Sequence, residues 1–302
     1  MIKRASVAGL TLALTIGPAF AADLPSLKAP IVLPPPAFSW TGLYGGVNIG
    51  YGFGSGDQDP GWMEYQPFVL PCCTLLLPAP AWSISNDLNG VLGGGQVGYN
   101  YQFNPWLVVG LEADIQATDV HSQGNGYGVA PGFPGQVVFS RGPNFAYASQ
   151  NKSVDWFGTV RGRIGVTFPN LPNLLLYATG GLAYGGVVHS ANVSDFYPAS
   201  SNVVGGAGTN YDQTKIGWTA GGGVEWFPFT AHPLLQAFSV KLEYLYTDLG
   251  ATTLYGTSIF TIPDGGPTYF YSQTSQTRWH TIRAGVNWHF NPFAPAPVLA
   301  KY

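Results

Sequence analysis

Charge is what this chain of 302 residues has least of. Asp, Glu, Lys and Arg make up 9% of it, against about 25% in an average soluble domain. So few charges cannot easily cover a soluble surface of this size. Past residue 21 there is also no run of about 18 apolar residues, so no spanning helix is encoded. Cysteine is limited to the adjacent Cys72 and Cys73. They cannot staple distant strands, and without matching Cys or His partners they make a poor zinc site; no metal site and no function follow from them. Collagen is excluded by the lack of a Gly-X-Y period, and disorder by a hydrophobic content of 46%. With a net charge of −3 and no basic patch, nucleic acid is not an expected partner. What is abundant is Gly, at 41 residues, and aromatics, at 15%. Low charge, high Gly and high aromatic content without a membrane helix point to a membrane-embedded β-barrel.

The N-terminus reads as a secretory signal over residues 1–21. Lys3 and Arg4 form its charged region, Val7 to Ile16 its apolar core, and Ala19-Phe20-Ala21 its small-residue cleavage site. Cleavage removes two of the twelve basic residues and none of the fifteen acidic ones, leaving a mature net charge of −5. Residues 22–39 form a Pro-rich leader, expected to be extended or disordered in the periplasm.

The rest, residues 40–290, falls into eight alternating segments: 40–54, 89–103, 106–118, 153–168, 174–188, 214–227, 239–248 and 278–290. The intervening stretches contain 34, 2, 34, 5, 25, 11 and 29 residues. Long connections alternating with short ones define an antiparallel up-and-down barrel with long external loops and short periplasmic turns. The fold class expected is therefore all-β, an eight-stranded antiparallel transmembrane barrel, with a periplasmic extension over residues 291–302.

Period-two patterning separates two faces. In 106–118 one face carries Leu107, Val109, Leu111, Ala113 and Ile115, the other Val108, Gly110, Glu112, Asp114 and Gln116. In 278–290 Ile282, Ala284, Val286, Trp288 and Phe290 oppose Thr281, Arg283, Gly285, Asn287 and His289. The same division recurs in 153–168, 214–227 and 239–248. In a soluble barrel the apolar face would line the interior. Here the charges share their face with Gly, Thr, Asn and Gln, which suits a narrow lumen, while the aliphatic and aromatic face suits lipid. An Arg or Lys on the lipid face at the midplane would cost about 2–4 kcal/mol. The eight lumen charges balance: Arg161, Arg163, Lys241 and Arg283 against Glu112, Asp114, Glu225 and Glu243. An eight-stranded interior is just wide enough for side chains to fill, and buried charges must pair. These eight are expected to form an ion-pair network that plugs the lumen; a gated ion path is the alternative.

Specific motifs carry a family likeness. They include Trp40-Thr41-Gly42-Leu43-Tyr44-Gly45-Gly46, Gly93-Gly94-Gly95-Gln96-Val97-Gly98-Tyr99-Asn100 and Gly110-Leu111-Glu112-Ala113-Asp114. Further along come Asp155-Trp156-Phe157-Gly158-Thr159-Val160-Arg161-Gly162-Arg163, Tyr177-Ala178-Thr179-Gly180-Gly181-Leu182-Ala183-Tyr184-Gly185 and Lys241-Leu242-Glu243-Tyr244-Leu245-Tyr246-Thr247-Asp248-Leu249-Gly250. Almost the whole mature chain, in this order, resembles the alpha-proteobacterial outer-membrane surface-antigen porin family, whose members are OmpA-like eight-stranded barrels. The resemblance implies a Gram-negative outer-membrane location and a role in envelope integrity or surface interaction, with membrane lipids and a host or environmental surface ligand as partners. Some relatives bind haemin, but the matching motifs are strand motifs and do not carry that property over. The last segment also looks like the insertion signal read by the outer-membrane assembly machinery, here Arg283, Gly285, Trp288 and Phe290. It departs from the usual pattern by continuing twelve residues past Phe290.

Catalysis finds little support. Asp119 and His121 start a long loop two residues apart, but no nucleophile or orienting group accompanies them. His121 and His189 are candidate axial ligands for a haem; solvated loop histidines are the plainer reading, and no cofactor is expected. His289 is expected in the lumen, hydrogen-bonded. Three functions therefore stand in order: a structural or surface-interaction barrel that is not an enzyme, a narrow passive porin for small solutes, and a haem-binding surface barrel.

Overall fold

A computed structural model of the chain describes residues 38–65, 68–70, 73–75, 80–130, 144–197, 202–232, 234–259 and 268–290. Residues 1–37, on which the expected signal and most of the expected leader fall, and residues 291–302 lie outside the described residues. Among the described residues twelve strands are formed: β1 (Gly42–Gly54), β2 (Asp57–Tyr65), β3 (Phe68–Leu70), β4 (Cys73–Leu75), β5 (Ala81–Asn86), β6 (Gly90–Asn104), β7 (Leu107–Ala130), β8 (Asn144–Phe168), β9 (Leu171–Tyr197), β10 (Asn202–Trp226), β11 (Phe238–Ile259) and β12 (Thr268–His289). Ten of them make one sheet, and the pairing of β1 with β12 closes it into a cylinder of antiparallel neighbours.

Ten strands and eight walls are the same object. β2 continues β1 alongside β12, which pairs with β1 from His289 to Trp279 and with β2 from Gln273 to Tyr269. The break falls at Gly56, whose φ of +71° suits glycine and bends the wall. β5 likewise continues into β6 past Asp87 and Leu88, and it pairs with β2. Each of the eight alternating segments thus holds one wall of the barrel. β3 and β4 form a separate two-stranded hairpin within the first long connection.

The strands outrun their sequence-based limits. β7, β8, β9 and β10 contain 24, 25, 27 and 25 residues, so much of each expected long loop is strand. The reason is physical. Beyond the apolar band the outward face turns polar and inward apolar residues are interspersed with polar and small ones, as in Asp119-Val120-His121-Ser122-Gln123-Gly124-Asn125, so the alternation that marks a half-buried strand fades. Three glycines close one seam there. β5 lies against β7 with the carbonyls of Ser85, Ser83 and Ala81 facing Gly124, Gly126 and Gly128, where a Cβ would stand 2.7 Å from each oxygen.

The outer surface is banded. Val47, Ile49, Leu111, Ile115, Leu182 and Ile282 are exposed aliphatics. Near the short-turn end they are bordered by exposed Phe103, Trp106, Phe168, Trp226, Trp288 and Phe290, and on the other side by Tyr51, Trp156, Trp218 and Tyr244. The next outward positions are Asp119, Asp155, Asp248 and Arg278. Along β7 the band spans roughly the 9–11 residues that a tilted strand needs to cross a bilayer.

Inside, the cylinder is filled in layers. At the short-turn end Trp40, Val108, Leu175, Tyr177 and Phe227 form an apolar cluster, with Phe38 packed on it. Here the expected boundaries shift. Phe38, placed in the leader, docks into the barrel mouth with its ring 4.9 Å from Phe227. Trp40, expected to open the first strand, turns inward, and its indole N–H donates to the Pro172 carbonyl at 2.9 Å. Above this cluster sits the charged layer. Next comes a second apolar cluster of Leu88, Leu92, Val120, Val154, Phe157, Ala183, Val187, Leu249 and Trp279. Further out lies a polar layer around Asp59, Lys152 and His189. A third apolar cluster, with Met63, Trp82, Ile84 and Tyr271, fills the loop end.

Candidate functional site

The eight charged side chains singled out above all point into the lumen, each no more than 5% exposed. Inward parity at matching heights on β7, β8, β10, β11 and β12 brings them together; register alone sets Glu112 beside Arg161 and Glu243 beside Arg283. Glu112 is the hub. It accepts from Lys241 Nζ at 2.8 Å on both oxygens, from Arg161 Nη2 at 2.5 Å, from Arg163 Nη1 at 3.4 Å and from the Tyr44 hydroxyl at 2.7 Å. Asp114 accepts from Arg161 Nη2 at 2.8 Å, Arg283 Nη2 at 2.9 Å and Thr159 Oγ1 at 2.8 Å. Glu243 accepts from Arg283 Nε at 2.6 Å, Arg161 Nη1 at 3.1 Å and the Tyr177 hydroxyl at 2.9 Å. Glu225, nearest the short turns, accepts from Arg163 Nη2 at 2.7 Å, Ser239 Oγ at 2.6 Å and Asn287 Nδ2 at 2.8 Å, and stands 3.0 Å from His289 Nε2.

Every carboxylate therefore meets at least one cation and at least one neutral hydrogen-bonding group, the condition under which buried ions are tolerated. Arg163 also lies over the Tyr177 ring, 4.0 Å from its centroid. A guanidinium on an aromatic face in a desolvated site gains cation–π attraction.

Tyr44 and Tyr177 were not singled out from the sequence, nor were Ser239 and Asn287. A signal existed: each shares its strand's inward parity with Gly, Thr, Asn or a charged residue. Tyrosine at a strand end reads equally well as a lipid-interface girdle, so parity alone had to decide. The residues of the assembly motif divide between faces. Arg283 and Gly285 turn inward, while Trp288 and Phe290 are about half exposed on the outer face.

The haem reading of the two histidines is corrected. His121 sits on the outer face of β7, half exposed, with Nδ1 2.9 Å from the Asp119 carbonyl and 3.7 Å from its carboxylate. His189 is buried inside on β9, opposite Lys152 of β8. Two rings on opposite faces of the wall cannot clamp one iron. Among the described residues no Ser, Thr or Cys side chain bonds to His121, so its contact with Asp119 stays a pair. Cys73 opens β4, and Cys72 lies outside the described residues.

The polar layer beyond the membrane band is built around Asp59 of β2. Its carboxylate accepts from Gln150 Nε2 at 2.8 Å, Ser275 Oγ at 2.5 Å and the Gln276 amide at 3.1 Å, with Lys152 Nζ 3.7 Å away. Lys152 itself donates to the Gln276 carbonyl at 2.7 Å. Burial pushes the Lys152 ammonium down to about 8 and, with the Lys152 charge added, the His189 imidazolium down to about 4. At the edge of this layer Arg278 pairs with Asp57, and hydrogen bonds from its guanidinium hold that carboxyl below its usual value.

A closed antiparallel cylinder with an apolar outer band, aromatic borders and a charged interior defines a transmembrane β-barrel. Comparison with known proteins places it further. The family model described as "Outer membrane protein beta-barrel domain" matches residues 10–290. The 31 kDa outer-membrane immunogenic protein of Brucella melitensis is 32% identical over 263 residues, covering 87% of this chain and 89% of that protein. The 22 kDa outer membrane protein of Rhizobium leguminosarum bv. viciae is 32% identical over 157 residues, covering 51% and 52%. Among solved structures, OprG of Pseudomonas aeruginosa is similar at 11% identity and a TM-score of 0.33, covering 83% of this chain and 98% of that one. Ail of Yersinia pestis is similar at 12% and 0.25, covering 80% and 99%. The chain belongs to the outer-membrane β-barrel family, within the alpha-proteobacterial surface-antigen group, and resides in the Gram-negative outer membrane.

Proposed function

We propose that the protein is a non-enzymatic barrel that reinforces the outer membrane and displays its long outer half on the cell surface, with a lumen sealed by the ion-paired layer. One observation carries this reading: the eight charges lie between two apolar layers anchored by Trp40 and Trp279, both 0% exposed. Side chains packed into apolar constrictions above and below the charged layer exclude water by dewetting, which supports a closed lumen. The Brucella relative is named an immunogenic outer-membrane protein, which agrees with surface display here. Purified protein in planar bilayers is expected to give no reproducible conductance steps. Steps that change when Arg161→Gln or Glu225→Gln is introduced would establish the porin reading instead.

The same reading gives β12 a role in biogenesis. Trp288 and Phe290 present aromatics on the lipid side of the closing strand, next to the β1 edge it must find, so the assembly machinery is proposed to read them together with Arg283 and Gly285. Phe290→Ser is expected to slow outer-membrane insertion several-fold, seen as periplasmic accumulation in a pulse-chase. Wild-type kinetics for both Phe290→Ser and Trp288→Ser would remove the assignment.

A further inference from the structure

The outer half of the barrel wall parts between β10 and β11. Within the membrane band these strands share a continuous ladder, from Trp226 opposite Val240 to Trp218 opposite Asp248. Above that pair no ladder joins them among the described residues. β10 runs on outward from Gly217 paired with β9 alone, and β11 from Gly250 paired with β12 alone. The parting has a local cause. Leu249 and Gly250 of β11 together face the single residue Thr277 of β12. Gly250 takes a φ of +80°, and its amide donates to Asp248 Oδ1 at 2.7 Å. Such a bulge bends its strand and raises the local twist. β11 therefore leaves with β12, while β10 keeps an unbroken register against β9 from Ala207 to Trp226. Lys215 Nζ spans the base of the gap, donating to the Gly250 carbonyl at 2.9 Å and to Thr252 Oγ1 at 2.7 Å.

Two strand edges thus line a cleft. An edge presents backbone N–H and C=O groups that lack a ladder partner, and proteins ordinarily blunt it with charge, proline or a covering element. Here β11 from Gly250 to Ile259 carries neither charge nor proline, and β10 from Ala207 to Thr214 carries only Asp212. Thr209, Thr252, Thr253 and Thr257 favour extended backbone on both sides. A cavity of about 320 Å³ opens on the cleft between Gly208 of β10 and Tyr255, Gly256 and Thr257 of β11, walled by Phe270 and Tyr271 of β12. Tyr271 closes its floor, the hydroxyl donating to the Ala191 carbonyl of β9 at 3.4 Å. The seam between β5 and β7 also lacks a ladder, but there backbone carbonyls pack directly on Gly124, Gly126 and Gly128 and leave no cleft.

We propose that the β10–β11 cleft takes up an extended polypeptide segment of a partner protein, which adds to the open edges as a strand and seats one apolar side chain between Tyr255 and Phe270. The chemistry of the cleft selects this occupant. Amides and carbonyls repeating at strand spacing are matched by another backbone, whose main-chain bonds supply affinity while the pocket supplies specificity. A sugar or a lipid surface carries no such repeat. A second copy of the barrel would bring a strand already paired on its far side, so it would satisfy one edge and leave the other open. A single strand meets both, antiparallel to one and parallel to the other, because β10 and β11 run in opposite directions. The segments before Phe38 and after Phe290 leave from the short-turn end, across the membrane band from the cleft. The inference names a partner class for the displayed outer half and rests on that display.

A phage-displayed library of random peptides of about ten residues is selected against the full-length protein in nanodiscs. The best binder is then synthesised with and without N-methyl groups on alternate amides. The unmethylated peptide is expected to bind saturably and to slow hydrogen exchange in both 208–214 and 251–257. Methylation of either alternate set should weaken it at least ten-fold, since each set faces one edge. Tyr255→Asp with Phe270→Asp should also weaken it at least ten-fold, with the gel shift between unboiled and boiled samples confirming that the variant is folded. The proposal is overturned if no peptide is enriched over empty nanodiscs, if methylation or the Asp pair leaves affinity unchanged, or if the new protection falls away from both edges. Protection of the same amides by self-association of the free protein would overturn it in favour of a contact between copies. Display is read separately, by labelling Thr257→Cys on whole cells with an impermeant maleimide in a Cys72→Ser, Cys73→Ser background. Labelling without peptide binding overturns the inference and leaves display standing; binding in nanodiscs without labelling overturns display.

Discussion

Glu112→Gln is expected to destabilise the barrel by about 3–5 kcal/mol, the usual cost of removing one partner from a buried ion pair. The substitution barely changes volume, so packing loss does not confuse the result. What changes is charge. Among the described residues Lys241 Nζ makes hydrogen bonds only to the two Glu112 oxygens, and it would be left as an ammonium without its direct counterion in a buried site. Arg161 and Arg163 would each lose one of their carboxylate partners as well. Unfolding by urea in lipid vesicles measures the loss, and the midpoint should fall while the slope stays constant. Removing the orphaned cation too, with Lys241→Met, should return part of the stability, because a buried ion pair replaced by apolar side chains is often neutral. The two positions therefore couple in a double-mutant cycle. A loss below about 1 kcal/mol for the single variant, in the range of exposed ion pairs, would show that water reaches this layer. The sealed-lumen reading would then fail along with the energetic argument.

Much of this layer was legible because a barrel strand turns parity into location. A residue two positions from another shares its side of the wall, and where the charges share one face with Gly, Thr, Asn and Gln, the opposite apolar face is the one meeting lipid. Glu112, Arg161, Glu225, Glu243 and Arg283 declare themselves in that way. The limits of the method appear where parity stops discriminating. Trp40 begins a segment whose alternation suits a strand, but two residues before β1 the chain is no longer in the wall, and the indole closes the mouth instead. Phe38 followed a Pro-rich stretch and so shared its reading as leader. Tyr44 and Tyr177 resemble girdle residues in type and sit at girdle height, yet face inward. The outer half was hidden for a different reason. Outside the bilayer a wall with water on one side and a polar layer on the other needs no greasy face, so Asp119 to Asn125 looks like a loop while forming strand. His121 and His189 were paired on type alone, and the wall between them was not visible in the sequence.

Acid should loosen the outer half of the barrel before it touches the membrane-embedded half. His189 is buried with neither ring nitrogen hydrogen-bonded among the described residues, and it faces the ammonium of Lys152, with Asp59 and Lys215 contributing at longer range. Its folded value lies near 4, whereas an exposed histidine titrates near 6.5. The folded value is depressed, so as pH falls through 6.5 the unfolded segment takes up a proton that the folded one refuses. Stability declines from there down to about pH 4, and the decline ends once both states are protonated. The two values differ by about 2.5 units, which bounds the loss at about 3 kcal/mol. Lys152 does not contribute in this window, since below pH 8 it carries its proton in both states; its burial penalty is relieved only as pH rises from about 8 towards 10.5. Hydrogen exchange separates the two halves of the molecule. Between pH 7 and 4.5, after correction for intrinsic rates, amides in the outer parts of β8 and β9 should lose protection by up to about a hundred-fold, while those flanking Glu112 and Arg161 keep theirs. His189→Leu removes the titrating group and should abolish the acid response of β9. If that variant softens with acid as the wild type does, the proton is being taken up elsewhere, and the buried imidazole is not what ties the outer half to pH.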